Sequence, residues 1–311
     1  MKAIVLKAPG AVDQLEYVET DKPVIADGEV LVQVKAISIN PVDTKSRMGK
    51  GMYGRLKNES PLILGWDIAG VVTESRSDLL KAGDEVFGMV NFPGHGKAYA
   101  EYVAAPASQL VLKPGNISFE EAAASTLVAL TAWQALVTNA RVQPGQRVLV
   151  HAASGGVGHI AVQLAKYLGA EVTGTSSVKN REFVLGLGAD HHIDYHNYDW
   201  AAHPDQFDFV LDAVGGDNID KSILVAKPGG SIISIPTGLN EEVTEKAKAR
   251  GIKGYFILVQ SNGEDMKKIA DLLEKGLIRP HVSQTFSFDQ MREAHLAVES
   301  GRTVGKVVVV I

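Results

Sequence analysis

The chain has 311 residues, enough for two domains, and its 45% hydrophobic and 22% charged residues are the balance of an ordinary folded protein, which excludes a disordered or fibrous chain. Basic residues number 31 and acidic residues 36, a formal charge of −5 without a long run of one sign, so an electrostatic nucleic-acid surface is not expected. Cysteine is absent, which removes disulfides, thiolate nucleophiles, iron–sulfur clusters and cysteine-ligated zinc.

Met1 to Lys7 reads as a short strand without the apolar stretch of a secretory signal, and no segment approaches the roughly 18 apolar residues of a membrane span. A cytoplasmic protein is expected. From residue 1 to 117 the sequence is strand-like: Glu29 to Lys35 alternates, Asp67 to Val72 is short and β-branched, and Pro and Gly punctuate often. At Ser118 the texture changes. Ser118-Phe119-Glu120-Glu121 offers an N-cap with acidic residues in the first turn, followed by an Ala-rich run to Leu136. A domain boundary is expected there.

Apolar runs of strand length then alternate with helical stretches. Arg147 to His151 precedes a helix over 157–168, Glu171 to Thr175 one over 179–187, Phe207 to Asp212 one over 217–226, and Ser231 to Ile235 one over 241–250. This pattern predicts a doubly wound α/β domain with a parallel sheet, residues 118–282. Beyond it, 284–288 leads into a helix over 289–300. Lys306 to Ile311 is a strand too apolar for an exposed edge, so it is expected to return to the first domain and complete it with 283–311.

The strongest local signal is the strand Val148 to His151 running into Ala152-Ala153-Ser154-Gly155-Gly156-Val157-Gly158, which opens a helix. Gly155 lets the backbone approach a pyrophosphate and Gly158 lets the helix pack on the strand. The free amides at the helix start, with Ser154, Gly156 and Val157 in the turn, face the anion. At the end of the next strand, where a carboxylate would accept from an unphosphorylated ribose, the chain has Ser176, Ser177 and Lys179. Hydroxyls and a cation suit a 2′-phosphate, so NADP(H) is preferred. Arg181 is a weaker candidate. Tyr195, Val214-Gly215 and Ile235-Pro236-Thr237 close further strands toward the cofactor crevice. His191, His192 and His196, near Asp194, read as surface or adenine-side residues rather than a metal site.

In order, Asn40-Pro41-Val42-Asp43-Thr44-Lys45, Gly65-Trp66-Asp67-Ile68-Ala69-Gly70, Ala82-Gly83-Asp84-Glu85-Val86, Leu130-Thr131-Ala132-Trp133, the glycine loop and Gly305-Lys306 cover the full length. The chain resembles the medium-chain dehydrogenase/reductase superfamily, and within it the zinc-independent quinone oxidoreductases of the zeta-crystallin-like branch and the alkenal and enone reductases. The resemblance implies a GroES-like catalytic domain beside the Rossmann domain. Where zinc alcohol dehydrogenases carry a metal-binding cysteine this chain has Asn40, and in place of their Gly-His-Glu it has Gly65-Trp66-Asp67, so no metal is expected.

The implied chemistry is hydride transfer from NADPH to a quinone or to the C=C bond of an α,β-unsaturated carbonyl, with hydrogen-bond donors at the carbonyl oxygen where charge grows. Asn40 and Thr131 are the implied donors at the reacting end, and Lys306 lies near the cofactor. Asp43 orients backbone or assists protonation, and Trp66, Met89, Phe92 and Phe256 are candidates for an apolar, flat-sided cleft. For each of these a packing, capping or surface role is the alternative, and for the four apolar residues core packing is the preferred one. A metal-free NADP-dependent carbonyl reductase and a non-enzymatic NADPH-binding protein stay open, and homodimerisation is expected by analogy alone.

Overall fold

The computed structural model describes residues 1–236 and 238–311. The chain divides into two compact units, residues 1–130 with 259–311, and residues 131–258. In chain order the first unit opens with β1 (Lys2–Leu6) and β2 (Leu15–Glu19), then β3 (Glu29–Ile39), α1 (Pro41–Arg47), α2 (Tyr53–Leu56), β4 (Asp67–Ser75), β5 (Glu85–Met89), β6 (Tyr102–Pro106), β7 (Val111–Leu112) and α3 (Phe119–Ala124). Helix α4 (Leu127–Trp133) leads on to β8 (Arg147–Val150), α5 (Gly156–Tyr167), β9 (Glu171–Ser176), α6 (Arg181–Gly186), β10 (His191–Asp194), β11 (Phe207–Asp212), α7 (Asn218–Val225), β12 (Ala226–Ser234), α8 (Val243–Lys248) and β13 (Lys253–Phe256). The first unit resumes with α9 (Gly263–Glu274), β14 (Val282–Ser287), α10 (Met291–Glu299) and β15 (Lys306–Val310).

The division of the chain differs from the boundaries expected at 118 and 283. Helix α3 packs on β3 and β4, and α9 packs on β7, so both helices belong with the first unit's sheet. The Ala-rich run is also not one helix. Ser118 and Glu121 form the expected capping box, but Ser125 Oγ donates to Glu121 O and Thr126 Oγ1 to Ala123 O, and the run breaks into α3 and α4 there.

Among the described residues of the first unit the main sheet has the order β14-β15-β3-β4-β5-β7, with β6 also on β3. β15 pairs antiparallel with β3 and parallel with β14. Val307, Val308 and Val309 are fully buried, and each such valine contributes roughly 1.5–3 kcal/mol, which explains why this strand sits inside the sheet.

In the second unit the described strands run parallel in the order β10-β9-β8-β11-β12-β13. Counted from β8 this is 3-2-1-4-5-6, the doubly wound dinucleotide-binding order, whose direction reverses between β8 and β11. Leu149, Val210 and Ile232 face Ile219, Ile223 and Val243, and this core holds the sheet under its helices.

Candidate active site

In the second unit, the turn from β8 to α5 lies at the reversal point, where such sheets bind ligands. Gly155 is the N-cap of α5 and no side chain caps the helix, so its first-turn amides lack a side-chain acceptor. A Cβ on Gly158 would lie 2.1 Å from Ala152 O, so only glycine lets the helix start this close to the turn. Ser154 is buried and accepts from Asn180 Nδ2 at 3.1 Å, while Gly155, Gly156 and Val157 are half-buried. An uncapped helix start, backed by glycine and free of carboxylates, fits a pyrophosphate.

At the end of β9 the expected residues part company. Ser176 is buried, with Oγ donating to Ser177 O at 3.1 Å and lying 2.8 Å from His192 Nε2. A hydroxyl has one proton, and this one is already used, so the expected phosphate contact from Ser176 is corrected to an internal role. Ser177 is half-buried and Lys179 exposed, with no ion-pair partner among the described residues. Burial, then the nearby Arg181, keeps His192 below the usual imidazole range. Register places His192 opposite Gly174, beside this corner, which sequence inspection of His192 alone does not reveal.

Tyr195 is exposed, with its ring tilted against that of His196 at 4.2 Å. Val214 is exposed, and Gly215, at φ +71°, lies where a Cβ would meet Leu239 O at 2.6 Å. Ile235 and Pro236 are half-buried, and Thr237 lies outside the described residues. Phe256 ends β13 and is exposed. A separate cavity of about 430 Å³, lined by Lys227, Lys253, Asp208 and Tyr255, lies at the amino ends of these strands, the opposite edge from the glycine turn.

The first unit buries a polar network around Asn40. Lys306 Nζ donates to Ile39 O at 3.0 Å and to Asn40 Oδ1, Asn40 Nδ2 donates to Asp67 Oδ2 at 2.7 Å, and Asp67 Oδ1 accepts from Leu127 N at 3.1 Å. Asp43 Oδ2 accepts Asn40 N at 2.6 Å, which caps α1. Tyr99 Oη lies 2.9 Å from His295 Nε2, and buried Arg47 pairs with Glu299 at 2.5 Å. Sheet register assembles this set: Ser38 faces Asp67 across β3 and β4, and Ile39 faces Val307 across β3 and β15.

Burial, then Asp67, pushes Asp43 up to about 7. Burial raises Asp67 against the pull of Lys306, and lowers Lys306 against the pull of Asp67 and Asp43. Burial, then Arg47, pushes His295 down to about 3. One ammonium, bonded to Ile39 O and Asn40 Oδ1, thus offsets two buried carboxyl groups at longer range.

Asn40, expected to donate to substrate, is 1% exposed with Oδ1 taken by Lys306 and Nδ2 by Asp67. Lys306, expected beside the cofactor, is 3% exposed and its ammonium is spent inside the network. Asp43 is fully buried as a capping residue. Thr131 is buried on α4. Trp66, Met89 and Phe92 are core residues rather than cleft walls: Trp66 Nε1 donates to Gly94 O at 2.7 Å and its ring meets Phe92 edge-on at 5.1 Å. Asp67, which links Asn40 to α4, was not among the expected site residues. Its signal was an acidic residue opening the apolar run Ile68 to Val72.

No group of three or more His, Asp or Glu among the described residues is arranged to hold a metal, and Trp66 and Asn40 supply no zinc-binding set. Among the described residues no helix is long and apolar enough to cross a membrane.

Residues 26–115 match the alcohol dehydrogenase GroES-like domain and residues 187–309 the zinc-binding dehydrogenase domain. The chain is 36% identical to the 2-methylene-furan-3-one reductase of Solanum lycopersicum, over 99% of this chain and 79% of that protein. It is 35% identical to the chloroplastic NADPH-dependent alkenal/one oxidoreductase of Arabidopsis thaliana, with the same coverage. The quinone oxidoreductase of Coxiella burnetii superposes with a TM-score of 0.94 at 38% identity, covering 100% of this chain and 99% of that one.

Proposed function

This chain belongs to the medium-chain dehydrogenase/reductase superfamily and is an oxidoreductase, and from that premise we propose an NADPH-dependent, zinc-independent enzyme that reduces quinones or the C=C bond of α,β-unsaturated carbonyls. The observation that carries this is the uncapped, glycine-backed start of α5 at the reversal of the sheet, followed by a β9 end with Lys179 and no carboxylate. When bound, NADPH supplies the hydride. The amides of Gly156 to Gly158 hold the pyrophosphate, and Ser177 and Lys179 hold the 2′-phosphate, with His192 alongside. Asn40 acts here through its neighbours, by tying Lys306 to Asp67 and so to the start of α4, the helix that bears Thr131. Thr131 stays the proposed contact at the reacting end.

The relatives named as an alkenal/one oxidoreductase and a furanone reductase favour the enone. The test is NADPH oxidation with a panel of quinones and alkenals, product analysis and zinc content of the same sample. A saturated product that keeps its C=O supports the proposal; an alcohol product makes the enzyme a carbonyl reductase. Tight NADPH binding without turnover, preference for NADH, or an essential stoichiometric zinc overturns it. The protein is further proposed to be a cytoplasmic homodimer, which sedimentation and fractionation test.

A further inference from the structure

Ala152 stands between β8 and the glycine turn with φ +51°, a left-handed conformation that costs any residue with a Cβ. Everything downstream depends on the direction of its carbonyl. Gly155 N donates to Ala152 O at 2.8 Å, and Gly158 passes so near that oxygen that no Cβ fits between them. If Ala152 relaxed to negative φ, its carbonyl would swing and the turn would lose both constraints.

Two buried side chains on neighbouring strands meet at this residue. Thr175 Oγ1 accepts from Ala152 N at 3.3 Å, and Thr175 O accepts from Ala153 N at 2.8 Å. The same Oγ1 lies 3.2 Å from His151 Nδ1, and His151 N donates to Leu211 O at 3.0 Å, tying the strand end to β11. Both side chains are nearly inaccessible, His151 at 1% and Thr175 at 2%. Thr175 Oγ1 has one proton and two lone pairs, so it accepts from Ala152 N and still has a second bond to share with His151 Nδ1, whose direction is set by the ring's tautomer. Burial holds His151 down at about 4, against the pull of Asp212, so the ring is neutral at neutral pH. Neither His151 nor Thr175 was expected to bear on the ligand, and neither reaches the turn's outward face.

We propose that Thr175, braced by His151, is a positioning residue that holds Ala152 in its left-handed conformation and so sets the glycine turn for the dinucleotide. This rests on the nucleotide-binding proposal above.

The test is a double-mutant cycle read by NADPH Kd from fluorescence titration, with thermal unfolding measured alongside. Thr175→Val, isosteric but without the hydroxyl, is expected to raise Kd about tenfold. Ala152→Gly removes the penalty of positive φ and is expected to restore most of that affinity in the Thr175→Val background. Thr175→Ser, which keeps the hydroxyl, should bind within about twofold of wild type while Thr175→Ala loses affinity, and this second pair answers the question if valine is not accommodated. An unchanged Kd in Thr175→Val and Thr175→Ala, or strictly additive effects in the cycle, overturns the inference. If the wild-type protein binds no dinucleotide at all, it is the proposed function that fails, and the two outcomes are distinct.

Discussion

Lys306→Met is the sharpest probe of the first unit. Methionine matches the lysine stem in length, so the change deletes a charge and two hydrogen bonds with little loss of packing. In the wild-type protein Lys306 Nζ serves Ile39 O and Asn40 Oδ1 and is the ammonium opposite Asp67 and Asp43. Leaving two buried acceptors without a donor costs roughly 1–3 kcal/mol each, and the two carboxyl groups lose the nearby positive charge as well, on the order of 10 °C in Tm together for a unit of this size. The cost depends on pH. Without the ammonium, Asp67 is raised further above its unfolded value, and a carboxyl raised on folding withdraws stability as pH rises through the unfolded value near about 4 and upward. The variant is therefore expected to lose the full amount at pH 8 and much less at pH 5. Guanidinium unfolding at the two pH values, followed by tryptophan fluorescence and circular dichroism, measures it. Adding Asp67→Asn leaves a neutral network and should recover most of the loss. A penalty under about 1 kcal/mol at pH 8, or an equal penalty at both pH values, refutes this account of the buried network. Unchanged NADPH affinity in the folded variant separates this role from a direct cofactor contact.

Other outcomes follow from the same geometry. Lys179→Ala should weaken NADPH about tenfold and leave NADH untouched, and equal effects on the two would misplace the phosphate corner. Gly158→Ala, with its Cβ 2.1 Å from Ala152 O, should abolish dinucleotide binding and lower Tm, in contrast to Gly186→Ala, where the space is open. His151 and His295, held near 4 and 3 by burial, contribute stability that is present above about 6.5 and lost as pH falls through those values, at most about 3 kcal/mol for His151 and about 5 kcal/mol for His295. Asp43, raised to about 7, works in the opposite sense between about 4 and 7 and offsets part of this. His295→Phe should flatten the acid limb of a Tm-against-pH curve; an unchanged slope would deny the burial of a neutral imidazole. Trp66→Phe forfeits the bond to Gly94 O and should cost about 1–3 kcal/mol without altering NADPH affinity, as befits a core residue.

The second unit was legible because its signals are local. β8 and β12 each carry a short apolar run, and the turn from β8 to α5 shows in its glycines where the helix starts and where it packs closely on the strand. The capping box at Ser118 was equally plain. The end of that helix was not, because Ser125 and Thr126 turn back onto the carbonyls of Glu121 and Ala123 and break a run whose composition favours continuity.

By itself, then, the chain determined an α/β protein with a parallel dinucleotide-binding sheet, the position of its glycine turn, and the absence of cysteine ligands. Tertiary structure alone decided what the polar residues do. Asn40 and Lys306 are far apart in the chain and meet only because β15 pairs with β3, and Asp67 joins them only through the register of β3 with β4. Ser176 Oγ meets His192 Nε2 only because β10 lies beside β9. A side chain's chemistry is written in its type, but whether its donors and charges are free is set by neighbours that strand pairing brings from distant sequence, and no local pattern encodes them.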